Sequence, residues 1–134
     1  MRERGPTVPS VLACMVLLAT VKLALAICGF ERARRLLVRW SGRAPAAAWD
    51  ISLVRRTEHV VALAAAFFPG RALCLEQSLT LHALLRRAGV DSRLRLGVQP
   101  HPFAAHAWVE VAGEPVNDVL EHVSHFTPLL DPVP

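Results

Sequence analysis

Cys74-Leu75-Glu76-Gln77-Ser78-Leu79-Thr80-Leu81-His82-Ala83-Leu84-Leu85-Arg86-Arg87-Ala88-Gly89 is the stretch on which the chain divides. Its apolar residues recur at helical spacing and predict a helix over 73–88. Pro69-Gly70 breaks the chain before it, and Gly89 is placed to close it in a left-handed cap. Arg86 and Arg87 suit the carbonyl end. Cys74 falls on the first turn, where backbone N–H groups and the helix dipole favour a thiolate. Upstream the chain reads as helix, and downstream it reads as strand.

After Gly89 the period drops to two. Leu94, Leu96 and Val98 alternate with Arg93, Arg95 and Gly97, predicting a half-buried strand over 93–98. A second strand over 105–111 sets His106, Trp108 and Glu110 on one face and Ala105, Ala107, Val109 and Val111 on the other. Val111-Ala112-Gly113 fits a three-residue hairpin loop, with a third strand over 114–119. The tail, 122–134, is punctuated by proline and suggests no chemistry. Helices first and a small antiparallel sheet second make the fold α+β.

Upstream of the cysteine, residues 10–29 are apolar nearly all round and are interrupted only by Lys22. A membrane span needs about twenty apolar residues, and the run barely qualifies with a lysine inside it. A signal peptide would want an uninterrupted apolar region and a small-residue cleavage site. The preferred reading is a buried or partner-facing helix with Lys22 snorkelling. Residues 31–40 continue as a basic amphipathic segment, with Leu36, Leu37 and Trp40 on one side and Arg32, Arg35 and Arg39 on the other. That face is either solvated or contacts a membrane surface or an acidic partner. A loop over 41–45 leads to a second long helix over 49–68, with Asp50 as its N-cap and Pro69 as its end. The expected organisation is 1–48 as apolar and basic amphipathic helices and 49–134 as the core, within one compact domain.

The 134 residues suffice for a single core, and 53% are hydrophobic, which excludes a disordered chain. The net charge of +4 is almost wholly arginine, since Lys22 is the only lysine. The basic residues are scattered, without aromatic-basic repeats or zinc-finger spacing, so nucleic acid is not expected as a partner. Cys14, Cys28 and Cys74 form no pairing pattern, and an odd count points to a reducing, cytoplasmic compartment. On one helix Cys14 and Cys28 would lie about 21 Å apart, beyond disulfide reach.

Three residue types now stand out. With a three-residue hairpin loop, Glu110 lies across from Glu114, Trp108 from Val116, and His106 from Asp118. Directly opposed residues have Cβ atoms about 5 Å apart. Asp118 would then orient His106, leaving its other nitrogen for the Cys74 thiol. The register also opposes two like charges, Glu110 and Glu114. A histidinium neighbour supports the thiolate, which attacks an amide carbonyl, and the histidine then protonates the leaving amine. A metal set of Cys74, His101 and His106 is the rival arrangement, but no CxxC or HxxxH pairing supports it. No metal or cofactor is expected.

Cys74-Leu75-x-x-Ser78-Leu79, Leu84-Leu85-Arg86-Arg87-x-Gly89-Val90, Pro102-Phe103-x-Ala105-His106-Ala107-Trp108-Val109-Glu110 and Pro115-Val116-Asn117-Asp118 together resemble the transglutaminase-like leader peptidases of lasso-peptide biosynthesis. The resemblance covers residues 49–128. It implies a papain/transglutaminase-like core with Cys74, His106 and Asp118 as the catalytic cysteine, histidine and aspartate. It implies removal of the leader from a ribosomally made precursor peptide, freeing an amine for a separate ATP-dependent lasso cyclase. A precursor-recognition domain is fused to such peptidases or supplied separately. The first seventy residues read as helices without the strands such a domain needs, so a separate recognition protein is expected.

One departure concerns the oxyanion hole. Papain-like proteases carry a glutamine shortly before the cysteine, and Phe67-Phe68-Pro69-Gly70-Arg71 holds none. The Cys74 backbone N–H is one candidate donor, and Gln77 lies in the neighbourhood, as a second donor or equally as a surface side chain. Two other functions stay open: amide or acyl transfer by the same triad, and a non-catalytic scaffold docking a membrane or the cyclase. Peripheral membrane contact through residues 10–40 belongs with either.

Overall fold

The computed structural model describes residues 8–42, 51–70, 72–100 and 102–129. Asp50, His101, Arg71, the loop beyond Gly42 and the two ends of the chain lie outside the described residues. Four helices and four strands run in the order α1 Val11–Ser41, α2 Ile51–Phe67, α3 Cys74–Arg87, β1 Ser92–Pro100, β2 Phe103–Val111, β3 Glu114–Pro115, α4 Leu120–Val123 and β4 Thr127–Pro128. The architecture is α+β.

α3 is the central element. Every residue from Ser78 to Leu85 is buried, because α1 and α2 pack on one side of it and β1 and β2 on another. The core gathers Leu18 and Val21 of α1, Val54 and Val61 of α2, Leu79, Leu81 and Leu85 of α3, and Leu94 and Val109 of the sheet. Gly89, at φ 88°, closes α3 in the left-handed region.

α1 is a single 31-residue segment broken at Gly29, whose φ of 78° only glycine adopts without strain. Ser10 caps it, its hydroxyl accepting from the Ala13 N–H at 3.1 Å. Cys14, Leu18 and Val21 face the core, while Leu12, Val16, Leu23 and Ile27 are 60–73% exposed. The buried-helix reading therefore holds for one stripe only. The helix is long and apolar enough to cross a membrane, and only 17% of the apolar 18-residue window that meets this test is buried. Lys22 lies 5.7 Å from the centre of the Phe68 ring. The second limb also departs from expectation: Leu37 is buried, but Leu36 and Trp40 stay half-exposed. With Leu17 and Val21 they line an apolar recess of about 400 Å³ between the limbs.

The sheet is antiparallel, in the order β3-β2-β1-β4. β1 and β2 pair along their full lengths, with Gly97 across from His106 and Arg95 across from Trp108. The hairpin between β2 and β3 corrects the expected register. Val111 pairs with Glu114 and Glu110 with Pro115, so the loop is Ala112-Gly113 alone. Both loop residues have positive φ, 53° and 80°, as a two-residue type I′ turn requires. Glu110 therefore does not oppose Glu114. It pairs instead with Arg95, Oε2 to Nε, at 3.2 Å.

Candidate active site

The one-residue change in register reverses the expected face. Val111 pairs with Glu114, so each step back along β2 matches one step forward along β3. Continued, that ladder would set Val119 across from His106 and Asp118 across from Ala107. Asp118 would then point to the opposite face of the sheet from His106. The third strand does not run to 119, however. It stops at Pro115, and 116–118 bend away. The bend returns Asp118 to His106, whose Nε2 donates to Asp118 Oδ2. The expected pair forms, but through a broken strand and not through cross-strand opposition.

Asn117 makes the bend. The Val116 N–H still donates to the Val109 carbonyl at 2.9 Å, the last rung of the ladder. The next donor, the Val109 N–H, goes to Asn117 Oδ1 at 2.8 Å, so a side chain replaces the missing strand carbonyl. Asn117 Nδ2 donates to Ser78 Oγ at 2.9 Å, and the Ser78 hydroxyl donates to the Ala107 carbonyl at 3.0 Å. Ser78 lies one turn beyond Cys74 on α3, and Ala107 follows His106 on β2. This chain of bonds, buried at Ser78, fixes the helix bearing the cysteine against the strand bearing the histidine.

Cys74 is the first residue of α3, partly exposed and with a free thiol. Among the described residues, no hydrogen bond joins it to His106. The helix start is not empty of charge. Glu76, buried, accepts the Leu73 N–H at 2.7 Å and already occupies the positive end of the dipole. That carboxylate lies two residues from Cys74, at the same helix start. Gln77 is not free at the surface: its Nε2 donates to the Ala72 carbonyl at 2.8 Å, bracing the segment that enters the helix.

His106 and Asp118 each have a side chain 16% exposed. The His106 ring stacks on Trp108 at 5.8 Å and meets Phe126 at 5.2 Å. Asp118 holds three donors: His106 and His122 on Oδ2, the latter at 2.9 Å, and the Val119 N–H on Oδ1 at 2.7 Å. Burial alone would raise the carboxyl, but the bonds from His122, the Val119 N–H and His106 together hold it below its ordinary value. An ionised carboxylate only accepts, so His106 carries its proton on Nε2. Its Nδ1 is left as the basic nitrogen.

His122 and Phe126 come from the tail that the sequence reading gave no role. The available signal was spacing: Asp118 and His122 are four apart, one helical turn.

A family model of the transglutaminase-like superfamily matches residues 15–131. The chain belongs to that superfamily. Over 45 residues it is 42% identical to the microcin J25-processing protein McjB of Escherichia coli. That match covers 34% of this chain and 22% of McjB, so the chain spans well under two thirds of its relative. No solved structure matches.

Proposed function

We propose that the protein is a cysteine endopeptidase that removes the leader from a lasso-peptide precursor. The observation that carries the reading is the Asp118 carboxylate bound to Nε2 of His106. It fixes the tautomer with a free Nδ1, the state a base needs to take a proton from a thiol. In this reading Cys74 attacks the scissile carbonyl, and the Cys74 backbone N–H supplies one oxyanion donor. Imidazolium Nδ1 returns the proton to the leaving amine, and water then hydrolyses the thioester. The similarity to a microcin-processing protein supports the substrate class. Three free thiols suit a reducing cytoplasm.

The partners implied are the precursor peptide, a separate precursor-recognition protein and an ATP-dependent cyclase. The exposed stripe Leu12, Val16, Leu23 and Ile27, followed by the exposed Arg32, Arg35 and Arg39, supports peripheral contact with an anionic bilayer.

The test is leader cleavage of a precursor peptide, followed by mass spectrometry with the partner proteins present. Cys74→Ala and His106→Ala should each lower the rate about 10³-fold or more, and Asp118→Asn by about 10²-fold or more. Undiminished cleavage by Cys74→Ala would sink the reading. A product carrying an added amine in place of water would convert it to acyl transfer. A folded protein whose Cys74 resists iodoacetamide near neutral pH would point to a scaffold.

A further inference from the structure

Asp118 serves two histidines at once, and the second has no part in the proposed reaction. His106 Nε2, Asp118 Oδ2 and His122 Nδ1 lie within 4.8 Å of one another. They approach from β2, from the bend after β3 and from α4, so no single element holds them all. We infer that these three atoms form a site for a divalent metal of zinc type, and that an ion there switches off His106 as a base.

The donor set fits the ion. Two imidazole nitrogens and a carboxylate oxygen are ligands zinc takes, with metal–ligand distances of about 2.0–2.2 Å and a fourth position left to water. Tetrahedral bonds of that length space neighbouring donors about 3.4 Å apart. His122 Nδ1 stands 2.9 Å from Asp118 Oδ2 and His106 Nε2 stands closer still, so both imidazoles must back away from that oxygen to admit an ion, His122 by about half an ångström and His106 by more. His122 has room to move, because its side chain is 50% exposed. Asp118 is held for the purpose by the Val119 N–H on its other oxygen, an outer contact that orients a ligating carboxylate. The His106 and His122 rings meet edge to face, at 65° with centroids 4.9 Å apart.

The inhibitory consequence follows from proton placement. A ligating nitrogen must give up its proton. Metal on Nε2 moves the His106 ring proton to Nδ1, and metal on Nδ1 of His122 moves that proton to Nε2. Asp118 binds as the carboxylate it already is. His106 then presents an N–H where the thiol requires a lone pair, and its acid-base role stops. This consequence rests on the peptidase reading, whereas the binding site itself rests on geometry alone.

The experiment separates the two. Zn²⁺ is titrated into untagged Cys74→Ala protein by calorimetry, which removes the partly exposed Cys74 thiol as a ligand. One equivalent should bind, and His122→Ala or Asp118→Asn should each weaken it by about tenfold or more. His122 is exposed, so its loss does not threaten folding. Absent binding, or binding indifferent to both changes, overturns the site. In the wild-type protein, Zn²⁺ should then slow leader cleavage relative to the metal-free rate. His122→Ala should blunt that fractional inhibition by about tenfold in metal concentration. Zinc bound through these residues with cleavage unchanged overturns the switch, whereas a protein that never cleaves fails the peptidase reading and leaves the calorimetric result standing.

Discussion

Gly97 stands directly across the β1–β2 ladder from His106, and its missing side chain is what lets Phe126 and Trp108 close around the imidazole. A Cβ at Gly97 would meet Phe126 Cβ at 2.8 Å and Trp108 Cη2 at 2.9 Å. Gly97→Ala should therefore cost about 1–3 kcal/mol by overpacking. Because the displaced rings are those against His106, cleavage should fall further than stability does. A urea midpoint and a cleavage rate equal to those of the wild type would refute the argument.

Ser78 and Asn117 replace the strand that β3 does not complete. Ser78→Ala leaves the Ala107 carbonyl and the Asn117 amide without their partner, at an expected cost of about 1–3 kcal/mol. Asn117→Ala should cost a similar amount through the Val109 N–H. The two share one network, so the double variant should cost less than the sum. Strict additivity in chemical denaturation would show that the bonds act independently.

The cysteines should differ in reactivity. Cys14 is 1% exposed, and burial pushes its thiol from 9.0 up to about 11. At pH 8 iodoacetamide should label Cys74 while leaving Cys14 untouched, read by peptide mass spectrometry. The raised value also carries a stability sign. Between pH 9 and 11 the folded state keeps the Cys14 proton that the unfolded state loses, so stability falls as pH rises. Cys14→Ala should flatten that alkaline slope.

Asp118 gives the opposite sign at the acid end. Its folded carboxyl lies below the ordinary 3.8, so it stabilises the fold above that pH and loses its contribution as pH falls through the folded value. The difference in melting temperature between wild type and Asp118→Asn should shrink as pH falls below about 4. A gap that widens as pH falls below about 4 would contradict the hydrogen-bonding that surrounds this carboxylate.

The outward stripe of α1 predicts vesicle binding. Protein should float with vesicles containing phosphatidylglycerol and less with phosphatidylcholine alone, since Arg32, Arg35 and Arg39 add attraction to anionic headgroups. Leu23→Glu with Ile27→Glu changes two residues 60% and 73% exposed and should abolish flotation without altering the fold. Absence of the wild type from the floated fraction would remove the membrane from the picture.

Local chemistry in the sequence determined much of this. Helical periodicity, Gly89 and the alternation after it were enough to divide the chain into helices and sheet, and a cysteine on the first turn of α3 followed from the break at Pro69-Gly70. These signals are carried by neighbouring residues. Counting also brought His106 and Asp118 together, but by a hairpin one residue too long. Whether Ala112 or Val111 opens the turn is a matter of backbone angles that Val111-Ala112-Gly113 leaves undecided. Tertiary structure decided the rest, because it depends on residues far apart in the chain. Ser78 and Asn117 had to meet before β3 could end early, and the tail had to fold back before His122 and Phe126 could reach His106. The side of the sheet that Asp118 faces was settled by that bend and not by any periodicity in the sequence.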